Sequence, residues 1–194
     1  MATFLGDEGG TAIAETIFGL NNPSGKLPFT YPKYQGLNIT YDHKQTEKTN
    51  RFLGQTSSLS DYDAKFKGTV YQWNFGYGLS YSSFEYSELK LDKKSYAKSD
   101  TIKIEVTLTN NSDIEGSEVV QAFCSDLVAS ITPSVKRLRD FEKIKLKPSE
   151  KKRLTLTIPV KELAFVSKEN KWIVESGDFT LSVGDLKTNF SVNE

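Results

Sequence analysis

Thr101-Ile102-Lys103-Ile104-Glu105-Val106-Thr107-Leu108-Thr109 alternates polar and apolar side chains without a break. Successive side chains of a β-strand point to opposite faces, so this stretch describes a half-buried strand. Ile102, Ile104, Val106 and Leu108 face a core, and Lys103, Glu105, Thr107 and Thr109 face water. The same period returns in Leu154-Thr155-Leu156-Thr157-Ile158 and in Phe179-Thr180-Leu181-Ser182-Val183. Further strand candidates are Tyr86 to Leu91, Ser117 to Cys124 and Leu138 to Leu146. A last pair, Leu163 to Val166 and Trp172 to Val174, is joined through Lys168-Glu169-Asn170. Seven or so strands in roughly 110 residues, separated by Asn110-Asn111-Ser112, Lys147-Pro148-Ser149 and Gly184-Asp185, fit an immunoglobulin-like β-sandwich.

Upstream of Phe84 the pattern differs. Residues 7 to 19 predict a helix: Asp7 and Glu8 place negative charge at its N-terminus, Ala12, Ile13, Ile17 and Phe18 form an apolar stripe, and Gly19 ends it. Asn22-Pro23-Ser24-Gly25 is turn chemistry. Lys26-Leu27-Pro28-Phe29-Thr30-Tyr31-Pro32 reads as a short extended segment, whose prolines allow only an edge or terminal place in a ladder. Lys33 to Thr69 is polar and aperiodic, with the charged run Asp42 to Lys48, and predicts a long loop. One helix and one short strand cannot enclose a core. The first 80 or so residues must therefore pack on the following domain, on a partner, or on material outside this sequence.

Between the two parts lies Tyr71 to Phe84, YQWNFGYGLSYSSF. Aromatics recur at Tyr71, Trp73, Phe75 and Tyr77, and Gly76 and Gly78 remove side chains between them, which describes extended backbone packed tightly on something else. This segment follows Gly9-Gly10-Thr11-Ala12-Ile13-Ala14 and Asn22-Pro23-Ser24-Gly25-Lys26-Leu27-Pro28, and precedes Glu118-Val119-Val120-Gln121. In that order the motifs resemble the C-terminal portion of glycoside hydrolase family 3, the β-glucosidase family, from about Phe4 to Gly184. The resemblance implies three parts: 1–70, the end of the family's α/β sandwich domain with a long loop; 71–83, an aromatic linker; and 84–194, a fibronectin type III-like domain. Pro133 to Leu146 followed by Pro148-Ser149-Glu150 matches the middle of that last domain. Ser149 stands where the family has Gly, a departure expected to alter only turn geometry. The expected fold class is mainly β: an immunoglobulin or fibronectin type III-like sandwich preceded by a partial α/β segment with one helix.

The resemblance further implies a parent activity, the retaining hydrolysis of terminal β-linked glucose or a related sugar, with a β-glucoside or oligosaccharide as substrate and no cofactor. The family's catalytic barrel, which carries its nucleophilic aspartate, lies N-terminal to all these motifs. Its acid/base glutamate, in members that use one, lies upstream of the Gly-Gly-Thr-Ala segment. Neither has a match here. The chain alone is therefore expected to be inactive and to support the missing barrel and α/β domain, with a loop at the active-site rim. The alternative is a non-catalytic carbohydrate-binding or protein-interaction module.

Composition restricts the partners. The 25 basic and 25 acidic side chains cancel, so no overall field recruits nucleic acid or an anionic membrane. Met1 to Asp7 lacks the basic and apolar regions of a secretory signal, and no run approaches the roughly 18 apolar residues of a membrane span. A soluble chain is expected, and the resemblance makes a secreted or periplasmic parent the expectation. Cys124 is the sole cysteine, so no intrachain disulfide forms. Asn38-Ile39-Thr40, Asn110-Asn111-Ser112 and Asn189-Phe190-Ser191 are glycosylation tripeptides, a pattern that also arises by chance.

Glycoside hydrolysis needs two carboxyl groups flanking the scissile bond. Asp7-Glu8 and Glu115 with Glu118 are the closest pairs, but the first suits a helix N-terminus and the second a solvated strand end. Asp61-Tyr62-Asp63 with Phe66, Tyr71 and Trp73 has the chemistry of a sugar-binding patch, aromatic faces for the ring and carboxylates for its hydroxyls. Packing at the junction also accounts for the rings and is the preferred expectation for Tyr71, Trp73, Phe75, Tyr77 and Tyr81. Gly6-Asp7-Glu8-Gly9-Gly10 lacks the Gly-Lys-Ser/Thr ending of a phosphate loop, and its acids repel phosphate, so it reads as helix entry. His43, the only histidine, cannot build a multi-histidine metal site, and Cys124 has no histidine nearby to activate it. No catalytic, cofactor or metal residue is assigned, and the sugar-contacting residues stay open.

Overall fold

The computed structural model describes residues 6–33, 40–42 and 71–194. His43, Asp61, Tyr62, Asp63, Phe66 and most of the expected loop lie outside the described residues. The helix is shorter than the stripe predicts: α1 spans Gly9–Ile17. Asp7 and Glu8 form a turn before it, and no side chain caps its N-terminus. Phe18 lies just past its end, and Gly19 takes a left-handed conformation with φ 76°. β1 (Tyr31–Pro32) and β2 (Tyr71–Trp73) form a small antiparallel ribbon, so the proline-flanked segment does take an edge position.

The remaining strands build the sandwich. They are β3 (Phe84–Leu91), β4 (Ser95–Ala97), β5 (Thr101–Asn110), β6 (Gly116–Asp126), β7 (Arg137–Leu146) and β8 (Lys151–Pro159), followed by a 3-10 turn at Val160–Leu163. After it come β9 (Phe165–Val166), β10 (Trp172–Ile173), β11 (Gly177–Val183) and β12 (Leu186–Asn193). One sheet runs β3-β5-β8 and the other β4-β12-β11-β6-β7; β9 and β10 pair as a separate hairpin. All ladders are antiparallel except β4 with β12. The expected fold class is the one observed. Two strands escaped the sequence reading, β4 and β12, and the expected strand at Leu163 begins two residues later because the 3-10 turn comes first.

Alternation sets the core. Ile102, Ile104, Val106 and Leu108 of β5 meet Leu154, Leu156 and Ile158 of β8 along one sheet, and Val120, Leu181, Val183, Phe190 and Val192 close the other side. Fully burying one such aliphatic side chain contributes about 1.5–3 kcal/mol, so these residues dominate the stability of the sandwich. Thr107 departs from its water-facing expectation. A bulge between Ser87 and Lys90 brings Glu88 over it, and the buried Thr107 hydroxyl donates to Glu88 Oε2 at 2.8 Å. Cys124 is buried, as an inert structural thiol should be.

Candidate functional site

The segment before the sandwich is held to it by polar contacts as much as by rings. Asn22 uses its whole hydrogen-bonding capacity in this seam. Its Nδ2 donates to Ser82 Oγ at 2.8 Å and to the Glu115 carbonyl at 2.9 Å, and its Oδ1 accepts from Ser80 Oγ at 2.9 Å and Tyr81 N at 3.0 Å. Leu27 N donates to the Tyr77 carbonyl and Gly76 N to the Leu27 carbonyl, each at 2.8 Å, so the extended Lys26-Leu27 stretch runs alongside the aromatic linker. Two glycines permit this approach. A Cβ on Gly78 would collide with the Gly25 carbonyl, and Gly76 combines φ 79° with a Cβ direction blocked by the Gln121 side chain.

Glu118 anchors the seam, which corrects its expected solvated role. It lies on the inward face of β6 in register with Val120 and Ala122, and only 9% of it is exposed. Lys26 Nζ approaches Glu118 Oε2 at 3.0 Å, and Tyr86 OH donates to Oε1 at 3.1 Å. Burial, followed by the Glu118 charge, pushes the Tyr86 phenol well above its ordinary pKa, so it stays a donor. Glu115 instead pairs with Lys145 at the surface, 2.5 Å apart, and the two glutamates do not face a common space as catalytic acids must.

Trp73 and Phe75 pack at the junction as expected, whereas Tyr77 and Tyr81 keep 41% and 51% of their surface exposed. Tyr31 tilts onto Trp73 at 5.1 Å between centroids, Trp73 stacks with Tyr77 at 6.2 Å, and Phe75 stacks on Tyr41 at 4.1 Å. Phe75 and Tyr41 both meet Phe123 of the sandwich edge-on, at 6.1 and 6.0 Å. Tyr81 donates through its OH to the Thr16 carbonyl at the end of α1, 2.7 Å away. Several large apolar side chains ahead of the sandwich are left bare: Ile17, Phe18 and Leu20 at the end of the helix are 68%, 79% and 81% exposed, and Leu79 in the linker is 73% exposed.

A cleft of about 40 Å³ opens near the start of β7, lined by Cys124, Asp126, Arg137, Arg139 and the rings of Phe165 and Phe179. Burial, with the nearby Glu175 charge, raises the Asp126 pKa, whereas Glu175 is held low by accepting from Ser130 N at 2.8 Å. Among the described residues Asp126 is the only carboxyl group lining the cleft, so the cleft shows no pair of carboxyl groups such as glycoside hydrolysis requires. Among the described residues no cluster of three metal-ligating side chains occurs. Asp7 and Glu8 are exposed at the helix entry. The sequence reading missed Lys26, Asn22, Asp126 and the two arginines. Of these only Arg137 and Arg139 carried a partial signal, because i and i+2 on an unbroken strand share a face, whereas β7 is irregular at Arg139.

A β-sandwich joined through an aromatic, glycine-punctuated linker to a helix with no core of its own is the architecture that ends the family 3 glycoside hydrolases. Residues 1–81 match the family described as "Glycosyl hydrolase family 3 C-terminal domain", and residues 118–187 match the "Fibronectin type III-like domain". The chain belongs to glycoside hydrolase family 3 and corresponds to the C-terminal part of its members. Among relatives, the periplasmic β-glucosidase of Salmonella typhimurium is 37% identical over 188 residues, 93% of this chain and 24% of the relative. A β-xylosidase of Formosa agariphila is 37% identical over 94% of this chain and 25% of its own length. The crystal structure of the Listeria innocua β-glucosidase in complex with glucose superposes with a TM-score of 0.84 at 30% identity, over 96% of this chain and 26% of that one. The chain thus spans about a quarter of the length of the relatives it matches.

Proposed function

We propose that this chain is the supporting C-terminal part of a retaining β-glycosidase that removes terminal β-linked glucosyl residues or a related sugar. The observation that carries it is the set of exposed apolar side chains ahead of the sandwich, Ile17, Phe18, Leu20 and Leu79, in a segment tied to the sandwich by Asn22 and by the Lys26–Glu118 pair. Large apolar side chains left this exposed in one short stretch of chain are what a segment that packs against a further layer of structure presents. In this reading residues 1–70 complete an α/β domain, 71–83 are the linker and 84–194 the fibronectin type III-like domain. The sandwich then acts as a buttress that sets where α1 and the linker sit relative to the sugar-binding centre.

Names of relatives include both β-glucosidase and β-xylosidase, and these sugars differ by one hydroxymethyl group. The choice between them belongs to residues that touch the sugar, which this reading places outside the seam. A secreted or periplasmic location fits the same reading, as does the absence of any described helix long and apolar enough to cross a membrane.

The test replaces the C-terminal quarter of the Listeria innocua enzyme with this chain. The chimaera should release product from an aryl β-glucoside, whereas the chain alone should not. Turnover by the chain alone that survives two columns and disappears on changing a carboxylate such as Asp126, with the fold intact by circular dichroism, would overturn the proposal. Saturable binding of a β-glucoside without turnover, by the chain alone, would favour the carbohydrate-binding alternative.

A further inference from the structure

Arg137 and Arg139 enter one cleft, and among the described residues neither forms an ion pair. The Nε of Arg139 is buried and has no hydrogen-bond partner. A guanidinium offers five N–H donors in a fixed fork, and a buried N–H without an acceptor gives up the hydrogen bond it would keep in water. The strand is shaped to put it there. Ala122 pairs with Asp140 and Phe123 with Leu138, so Arg139 is the extra residue of a bulge in β7. Bulges re-aim side chains and concentrate beside functional sites. Burial disfavours the Arg139 charge and the neighbouring Arg137 charge adds to this, while Cys124 first, then Glu162 and Tyr41, favour it through space.

We propose that this cleft is a receptor for a single carboxylate group, clamped by Arg137 and Arg139. The proposal stands apart from the glycosidase reading. The guanidinium fork matches the two oxygens of a carboxylate in parallel hydrogen bonds. A cavity of about 40 Å³ admits such a group and little more, so the rest of its bearer stays outside. The apolar walls, Leu163, Phe165 and Phe179 among them, lower the local dielectric and strengthen the pairing. Asp126 adds a carboxyl group to the same lining, which disfavours a dianion such as phosphate more than a monoanion. The carboxylate comes either from an acidic sugar or from an Asp or Glu side chain of another protein segment.

Arginine Nε–Hε resonances of the full 15N-labelled chain separate these sources. Titration at constant ionic strength with glucuronate, N-acetylglutamate amide and glucose should give saturable shifts at Arg139 with one or both acids and none with glucose. The tighter acid identifies the source. Arg139→Gln should weaken binding at least about tenfold, read through Arg137, and Arg139→Lys should do nearly as much because it keeps the charge and loses the fork. Arg137→Gln, read through Arg139, provides the same comparison should the Arg139 variants fail to fold. Linear shifts without saturation, equal shifts with glucose, or unchanged affinity in these variants would overturn the proposal.

Discussion

Replacing Lys26 by Met should open the seam from its most buried ionic contact. Lys26 Nζ and Glu118 Oε2 are 3.0 Å apart, with side chains 18% and 11% exposed. At an effective dielectric of about 20 the gross attraction at that distance is about 5 kcal/mol, most of it offset by the desolvation of both ions. The net worth of the pair is therefore small. Removing one partner is not small, because Glu118 would keep its charge with only the Tyr86 hydroxyl left as donor. Breaking a buried pair in this way costs about 3–5 kcal/mol, and the rim exposure of both side chains points to the low end, about 3 kcal/mol. Restoring neutrality with Lys26→Met plus Glu118→Leu should cost less than the sum of the two single changes, by about 2 kcal/mol. Urea unfolding followed by Trp73 fluorescence reports this, since Trp73 lies in the seam; Trp172, 71% exposed on β10, is removed first as Trp172→Phe. A loss below about 1 kcal/mol for Lys26→Met, or strict additivity of the double change, would refute the account of the seam.

Other outcomes follow from neighbouring features. Phe75→Ala removes a ring stacked on Tyr41 and abutting Phe123, and should destabilise by about 3–5 kcal/mol in the same urea assay. Ser149 holds φ 58° in the turn between β7 and β8, so Ser149→Gly should raise stability by about 0.5–1 kcal/mol, seen as a higher Tm. Burial pushes the Cys124 thiol up to about 12 from an ordinary 9.0, and Tyr86 is raised as well. Both protons bind more tightly in the fold than in the unfolded chain, so stability is full below about pH 9 and falls as pH rises toward 12, by up to about 1.4 kcal/mol per unit for each group. Cys124→Ala should flatten the first part of that decline in urea midpoints taken from pH 8 to 11. Phe84 to Glu194 expressed alone should unfold cooperatively on heating and Met1 to Val70 should not, because the hydrophobic core is built from the sandwich strands.

The sandwich was legible because β5, β8 and β11 alternate cleanly, each apolar residue in their runs being buried where period two puts it. β12 was not, since Leu186-Lys187-Thr188-Asn189 offers one apolar residue in four and its pattern becomes apolar only at Phe190 and Val192. β4 is three residues long, and only Tyr96 points inward. The packing role of Trp73 and Phe75 was readable from the spacing of the junction rings and the glycines between them. Glu118 was misread because charge suggested solvent, while strand parity placed it inward. Its partner Lys26 could not be found from sequence, since nothing local links residues so far apart. Asn110 shows a similar limit: the tripeptide marks it for glycosylation, yet it is wholly buried and its Nδ2 donates to the carbonyls of Ile114, Leu146 and Lys147.

The placement of β12 between β4 and β11 has a consequence for biosynthesis. Synthesis is vectorial, and the latest-made strand of the sandwich is an interior one of its sheet rather than an edge. Until residues 186–193 emerge, β4 has no partner to lie beside and β11 shows an open flank, with Tyr96 lacking the Phe190 ring that meets it edge-on at 5.8 Å. The nascent chain must therefore wait, with most of its sheet already made, for a final stitch that joins the strands made first to those made last. A chain cut off before residue 186 is left with two adhesive sheet edges, a substrate for chaperones and proteases.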